Sequence, residues 1–126
     1  MTTKTITILG KDVTLGYCHA TEIGYKLLSD EEISDFVAHV ITCLEGKKEP
    51  DKQKTIYLII AAVKAYSEWK EVPATITDRE LLYEADPIET GVALGTILQL
   101  RADFYHLPSG EPTGEESDKG DEPKNG

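Results

Sequence analysis

Asp51-Lys-Gln-Lys-Thr-Ile-Tyr-Leu-Ile-Ile-Ala-Ala-Val-Lys-Ala-Tyr-Ser-Glu-Trp-Lys70 decides how the rest of the chain must be arranged. Ile56, Leu58, Ile59, Ile60, Ala61, Ala62 and Val63 leave no polar side through its middle, which predicts a central, largely buried helix. Polar residues return at Lys64, Ser67, Glu68, Lys70 and Glu71, so the C-terminal half emerges from the core, and Pro73 stops the helix. A helix that is apolar all round must be wrapped by other elements. The flanking sequence supplies them.

Upstream, Ile33, Phe36, Val37, Val40, Ile41 and Leu44 follow the spacing i, i+3, i+4, i+7, i+8, i+11 and form one apolar stripe. Ser29 with Glu32 predicts a capping box at the start of that helix, and Gly46 a left-handed cap at its end. Lys47 to Pro50 is a short charged connection. Thr21 to Leu28 reads as a shorter helix carrying Ile23, Leu27 and Leu28, weakened by Gly24. Before it, Thr3 to Leu9 and Asp12 to Cys18 alternate in β fashion. Ile6 and Ile8, and Val13, Leu15 and Tyr17, each share a face, and Gly10-Lys11-Asp12 is the turn candidate. Such a hairpin is marginal alone in water, so it must lay its apolar face on the helices.

Downstream, Thr77 or Asp78 caps a short helix over Arg79 to Glu84. Asp86-Pro87 opens the last helix, with proline at the first turn, where its missing N–H does no harm. That helix carries Ile88, Val92, Leu94, Ile97, Leu98, Arg101 and Tyr105 and ends near His106, before Pro108. The expected fold is α+β, mainly α: an N-terminal β-hairpin packed on a compact bundle of four to five helices. The hairpin covers 3–18 and the helices about 21–28, 30–45, 51–70, 78–84 and 87–106, within a single globular domain at 1–108. Ser109 to Gly126 holds six acids, two lysines, four glycines, two prolines and no aliphatic or aromatic side chain. It has nothing to bury against the entropy of ordering, so a disordered acidic tail is expected over 109–126.

The formal charge of −10 divides into −4 on the tail (two lysines minus six acids) and −6 on the body. That sign repels a phosphate backbone and anionic lipid, which argues against nucleic-acid and membrane partners. The longest apolar stretch, Ile56 to Val63, has eight residues. A membrane helix needs about 20. No charged-then-apolar leader opens the sequence, so Cys18 and Cys43 are expected as reduced thiols in a cytoplasm.

Four residues offer a Cys2His2 set: Cys18-His19 on the hairpin's exit, and His39 with Cys43 one helical turn apart. Structural zinc sites favour knuckle spacing, and neighbouring strand residues point to opposite faces, so no metal or cofactor is expected. The same pairs suggest a Cys–His nucleophile, but a reactive thiol needs an electropositive setting that a net-negative body does not provide. Asp30, Glu31 and Glu32 are explained by the dipole of a helix N-terminus. With no grouped nucleophile, base and orienting residue, the chain is expected not to be an enzyme. Large rings at helix ends, Tyr66 and Trp69 on one helix and Phe104 and Tyr105 on another, are the candidate partner-binding residues. The bland alternative is that they close the ends of the core. Gly91 and Gly95, four apart on one helical face, are read as admitting a neighbouring helix or a second copy.

A hairpin starting at Thr3-Lys-Thr-Ile-Thr-Ile-Leu-Gly-Lys-Asp-Val-Thr-Leu-Gly-Tyr17, then a small acidic helical body and a polar tail, resembles the tail assembly chaperones of long-tailed bacteriophages and prophages. The resemblance is one of layout and spans most of the chain. It implies a non-enzymatic protein in the bacterial host cytoplasm that coats the long helical tape measure protein during tail assembly. It also implies a longer frameshifted product. Pro123-Lys124-Asn125 permits the slippery heptamer A-AAA-AAC in the gene, which an AAG lysine codon would remove. The competing expectation is a small acidic regulatory or immunity-type module that neutralises a basic protein partner. Its affinity would fall steeply with salt.

Overall fold

The helix that decides the arrangement runs Lys52–Lys70 in the computed structural model, which describes residues 1–107. The expected acidic tail at 109–126, with its Pro123-Lys124-Asn125 segment, lies outside the described residues. In chain order the elements are β1 (Thr2–Ile8), β2 (Lys11–Tyr17), α1 (His19–Ser29), α2 (Ile33–Glu45), α3 (Lys52–Lys70), α4 (Asp78–Tyr83) and α5 (Pro87–Phe104). This is an α+β, mainly helical protein with its hairpin laid on the helices.

α3 is enclosed as its composition requires. Leu58, Ile59, Ile60, Ala61, Ala62, Val63 and Ala65 are all buried, and α1, β2, α4 and α5 pack around them. Asp51 caps the start by accepting the Lys54 N–H at 2.9 Å, and Glu71 turns left-handed at the end.

The hairpin closes differently from the expected Gly10-Lys11-Asp12 turn. Ile8 pairs with Lys11, and Leu9 and Gly10 form the turn with φ of 52° and 74°. Two successive positive φ values match the right-handed twist of the strands, so Lys11 and Asp12 stay in the ladder opposite Ile8 and Thr7. Ile8, Val13, Leu15 and Tyr17 point into the core. β1 is fastened to α5 at both ends: the Thr2 hydroxyl donates to the Leu100 carbonyl at 2.7 Å, and Glu89 accepts the Leu9 N–H at 3.2 Å.

The capping box expected from Ser29 and Glu32 does not form. Ser29 is the last residue of α1, where its hydroxyl donates to the Tyr25 carbonyl (2.7 Å) and accepts the Glu31 N–H (3.2 Å). Asp30 then turns left-handed, so α2 begins only at Ile33, and Glu32 pairs with Lys26 instead of capping. α1 starts earlier than expected, at His19. Thr21 supplies its cap, accepting the Cys18 N–H at 3.1 Å while donating to the Gly16 carbonyl at 2.8 Å. At α4, Thr77 and Glu80 form a reciprocal capping box, and at α5 the Asp86 carboxylate accepts the N–H groups of Ile88 and Glu89.

Candidate protein-binding surfaces

Two apolar grooves flank α3. In the first, Ile23, Leu27 and Leu28 of α1 face Ala61, Ala65 and Lys64 of α3 across about 360 Å³. Its floor is tight because Gly24 lies against Ala61; a Cβ built on Gly24 would stand 3.3 Å from the Ala61 methyl. In the second, Ile56 of α3, Leu81 and Leu82 of α4, and Pro87, Gly91 and Leu94 of α5 enclose about 270 Å³. At ~100° per residue, Ala61, Lys64 and Ala65 lie about half a turn round α3 from Lys52, Thr55 and Ile56. The grooves therefore open on opposite sides of the same helix.

Aliphatic side chains stand out of the surface beside both. Ile23 is 61% and Leu27 81% exposed at the first groove; Leu82 is 47% exposed at the second, with Ile88 at 78% on the same helix as Pro87 and Gly91. Part of the α2 stripe is exposed too. Ile33, Phe36, Val40 and Cys43 are buried, Val37 is half-buried, and Ile41 and Leu44 face outward.

The aromatic candidates separate into two places. Tyr66 backs onto β2, where Gly16 leaves room for it, and its ring lies 6.4 Å from that of Trp69. Trp69 is 56% exposed, with the Lys70 ammonium 5.0 Å from its ring centre. Phe104 and Tyr105 instead join an intramolecular cluster with Tyr17 and His19, at ring separations from Tyr17 of 5.8 and 6.4 Å.

At the centre of that cluster is Glu22, which the sequence reading passed over. It accepts hydrogen bonds from the Tyr17 hydroxyl at 2.7 Å, the Tyr105 hydroxyl, and His19 Nδ1 at 3.3 Å. Partial burial opposes its charge, but the bonds from Tyr105, Tyr17 and His19 win and hold the carboxyl below the ordinary glutamate range. Burial, then the Glu22 contact, drives the Tyr17 phenol well above the ordinary tyrosine value. For Tyr105 the hydrogen bond to Glu22 is the leading cause of its upward shift. The arrangement is a clamp between the start of α1 and the end of α5.

Gly91 and Gly95 have no helix against them. A Cβ at either would meet nothing within 4 Å, so the expected close helix packing is absent among the described residues, and the face lies open. The metal reading meets a local obstacle. His39 Nε2 accepts the Asp51 N–H at 3.1 Å and so serves the start of α3, with the Cys43 sulfur 3.6 Å away. Among the described residues, no group of three or more His, Cys, Asp or Glu side chains is placed to hold a metal ion. The acids at 30–32 disperse: Glu31 takes the Tyr25 hydroxyl and Lys54, and Glu32 takes Lys26. No helix among the described residues is long and apolar enough to cross a membrane.

Among the described residues, aliphatic side chains wall both grooves. Compared with known proteins, the chain matches no family model, no curated protein and no solved structure.

Proposed function

We propose that this protein is a non-enzymatic, tail-assembly-chaperone-like binder that shields the apolar stripes of a helical client, of the tape measure kind, in a bacterial host cytoplasm. The observation that carries this is the lining of the two grooves beside α3, with Ile23, Leu27 and Leu82 exposed on their walls. An amphipathic helix laid in such a groove buries anchors spaced i, i+3, i+4 and i+7. Burying one exposed aliphatic side chain is worth ~1.5–3 kcal/mol, and three or four sum to about 5–12. Association itself costs ~4–15 kcal/mol, so one groove gives a weak, reversible contact. Weak contacts repeated along a long client suit a coat that must later come off.

The test is a fluorescence titration with an amphipathic helical segment of a tape measure protein. Leu27→Asp places a charge on the wall of the first groove and should lower affinity by about tenfold or more, with circular dichroism unchanged. Wild-type affinity should vary little between about 50 and about 500 mM salt. A steep fall with salt would instead support the acidic module that neutralises a basic partner, and no binding at all would sink the client reading.

A further inference from the structure

Among the described residues, the outer edge of β1 is an open hydrogen-bonding ladder, and the phase of the hairpin says which groups it offers. With a two-residue turn, the flanking pair Ile8 and Lys11 exchanges both bonds, and bonded pairs then alternate: Ile6 with Val13, Lys4 with Leu15, Thr2 with Tyr17. The remaining pairs, Thr7 with Asp12, Thr5 with Thr14 and Thr3 with Gly16, point their N–H and C=O groups away from the partner strand. Two observations support this phase. The Thr5 and Thr14 hydroxyls meet at 2.7 Å, as side chains do in the closer, non-bonded pairs. The Asp12 and Gly16 carbonyls do face outward, where Thr75 and Thr21 hydroxyls donate to them at 2.6 and 2.8 Å.

On the outer edge of β2, two of the outward carbonyls, those of Asp12 and Gly16, are thus taken by the protein's own side chains. On β1, the backbone groups of Thr3, Thr5 and Thr7 have no hydrogen-bond partner among the described residues, and all three residues are exposed. Natural proteins blunt such edges with proline, bulges or charged side chains. β1 has no proline and no bulge and carries one charge, Lys4: Thr-Thr-Lys-Thr-Ile-Thr-Ile holds six β-branched residues, no glycine and no acid. In a chain of net charge −10, it is a seven-residue strand free of the charge that pushes copies apart.

We infer that β1 is a self-association edge, pairing antiparallel with β1 of a second copy to make a four-stranded sheet across a twofold axis. The register follows from the residues. Centring the pair on Thr5 joins Thr5 to its counterpart and Thr3 to Thr7 in both directions, so every outward group on both strands is used. Shifting the centre to Lys4 sets two lysines directly opposite, which is unfavourable. Shifting it to Ile6 leaves Thr3 unpaired. With Thr5 at the centre, each Lys4 faces Ile6 of the other copy. This inference stands apart from the client reading, because it uses neither groove.

The test is sedimentation velocity of the full chain over about 10 to about 300 µM, where a small twofold contact becomes populated by mass action. Two variants probe the edge. Thr5→Pro removes an N–H that faces away from β2, so the hairpin's own ladder is spared. Thr5→Lys sets like charges opposite each other at the axis. Each change occurs twice per dimer and should weaken association by about tenfold or more, while circular dichroism stays that of wild type. A concentration-dependent wild-type dimer that either folded variant dissolves supports the inference. A wild type that is monomeric throughout, or a dimer that both variants retain, overturns it.

Discussion

Glu22 shows how a single residue can be invisible in sequence and central in structure. As an acid in the first turn of α1, it has a sufficient local explanation in the helix dipole. Nothing in the sequence links it to Tyr105, which is 83 positions away. Phe104 and Tyr105 were legible as rings at a helix end. Which surface they meet was not, because that depends on how α5 crosses the hairpin. Glu22→Gln removes the charge that two phenols and an imidazole address, and should lower stability by about 1–2 kcal/mol in urea unfolding. The pH dependence has a definite sign. A carboxyl held below its ordinary value contributes stability that is complete above the unfolded-state pKa of about 4.3, and loses it as pH falls through the lower folded value. The gap between wild type and Glu22→Gln should therefore be constant near neutrality and close under acid. A gap that persists unchanged to about pH 2 would mean the charge of Glu22 is not what the phenols hold. Trp69 gives the opposite case. At 56% exposure, Trp69→Ala should move the melting temperature by less than about 4 °C. A larger drop would make the ring part of the core.

At the scale of elements, the glycines separate what periodicity can and cannot say. Gly24, Gly91 and Gly95 all lie inside helices, where each costs ~1 kcal/mol relative to alanine. The sequence assigned a neighbouring helix or a second copy to Gly91 and Gly95, yet among the described residues the close helix contact is made by Gly24, against Ala61. Spacing on one helix reveals that two glycines share a face. It does not reveal which face another helix meets. Gly91→Ala and Gly95→Ala, each into open space, should raise the melting temperature by about 3–6 °C. Gly24→Ala gains the same propensity but pushes a methyl to 3.3 Å from a methyl that has no rotamer to escape into. α1 must then back away from α3, for a net loss of about 1 kcal/mol. If Gly24→Ala stabilised the protein as much as Gly91→Ala, the close α1–α3 packing would be wrong. α2 teaches the same lesson from the other side. Its apolar stripe was legible in full, but the seam that buries it is narrower, so Ile41 and Leu44 remain outside. α3 needed no such choice, since a run that is apolar all round has no face to misassign, and the fold was correspondingly clear from it.

For the whole molecule, charge and strand edge act together and give an outcome that separates modes of association. Two copies approaching one another each carry a formal −10, so their mean interaction is repulsive at low salt. β1 contributes one lysine and no acid. A dimer built on its backbone ladder gains nothing from ion pairs and suffers the long-range repulsion of the two bodies. Salt shortens the Debye length from ~30 Å at 0.01 M to about 10 Å at 0.1 M, which screens that repulsion while leaving hydrogen bonds between strands nearly untouched. Dimerisation should therefore strengthen as salt rises, by several-fold between about 20 and about 300 mM in sedimentation velocity. Binding of a basic partner to the acidic surface would show the reverse trend, and groove binding of an apolar helix little trend at all. A dimer that comes apart as salt is added must be held by opposite charges at its contact. A strand of threonines and isoleucines with a single lysine cannot supply them.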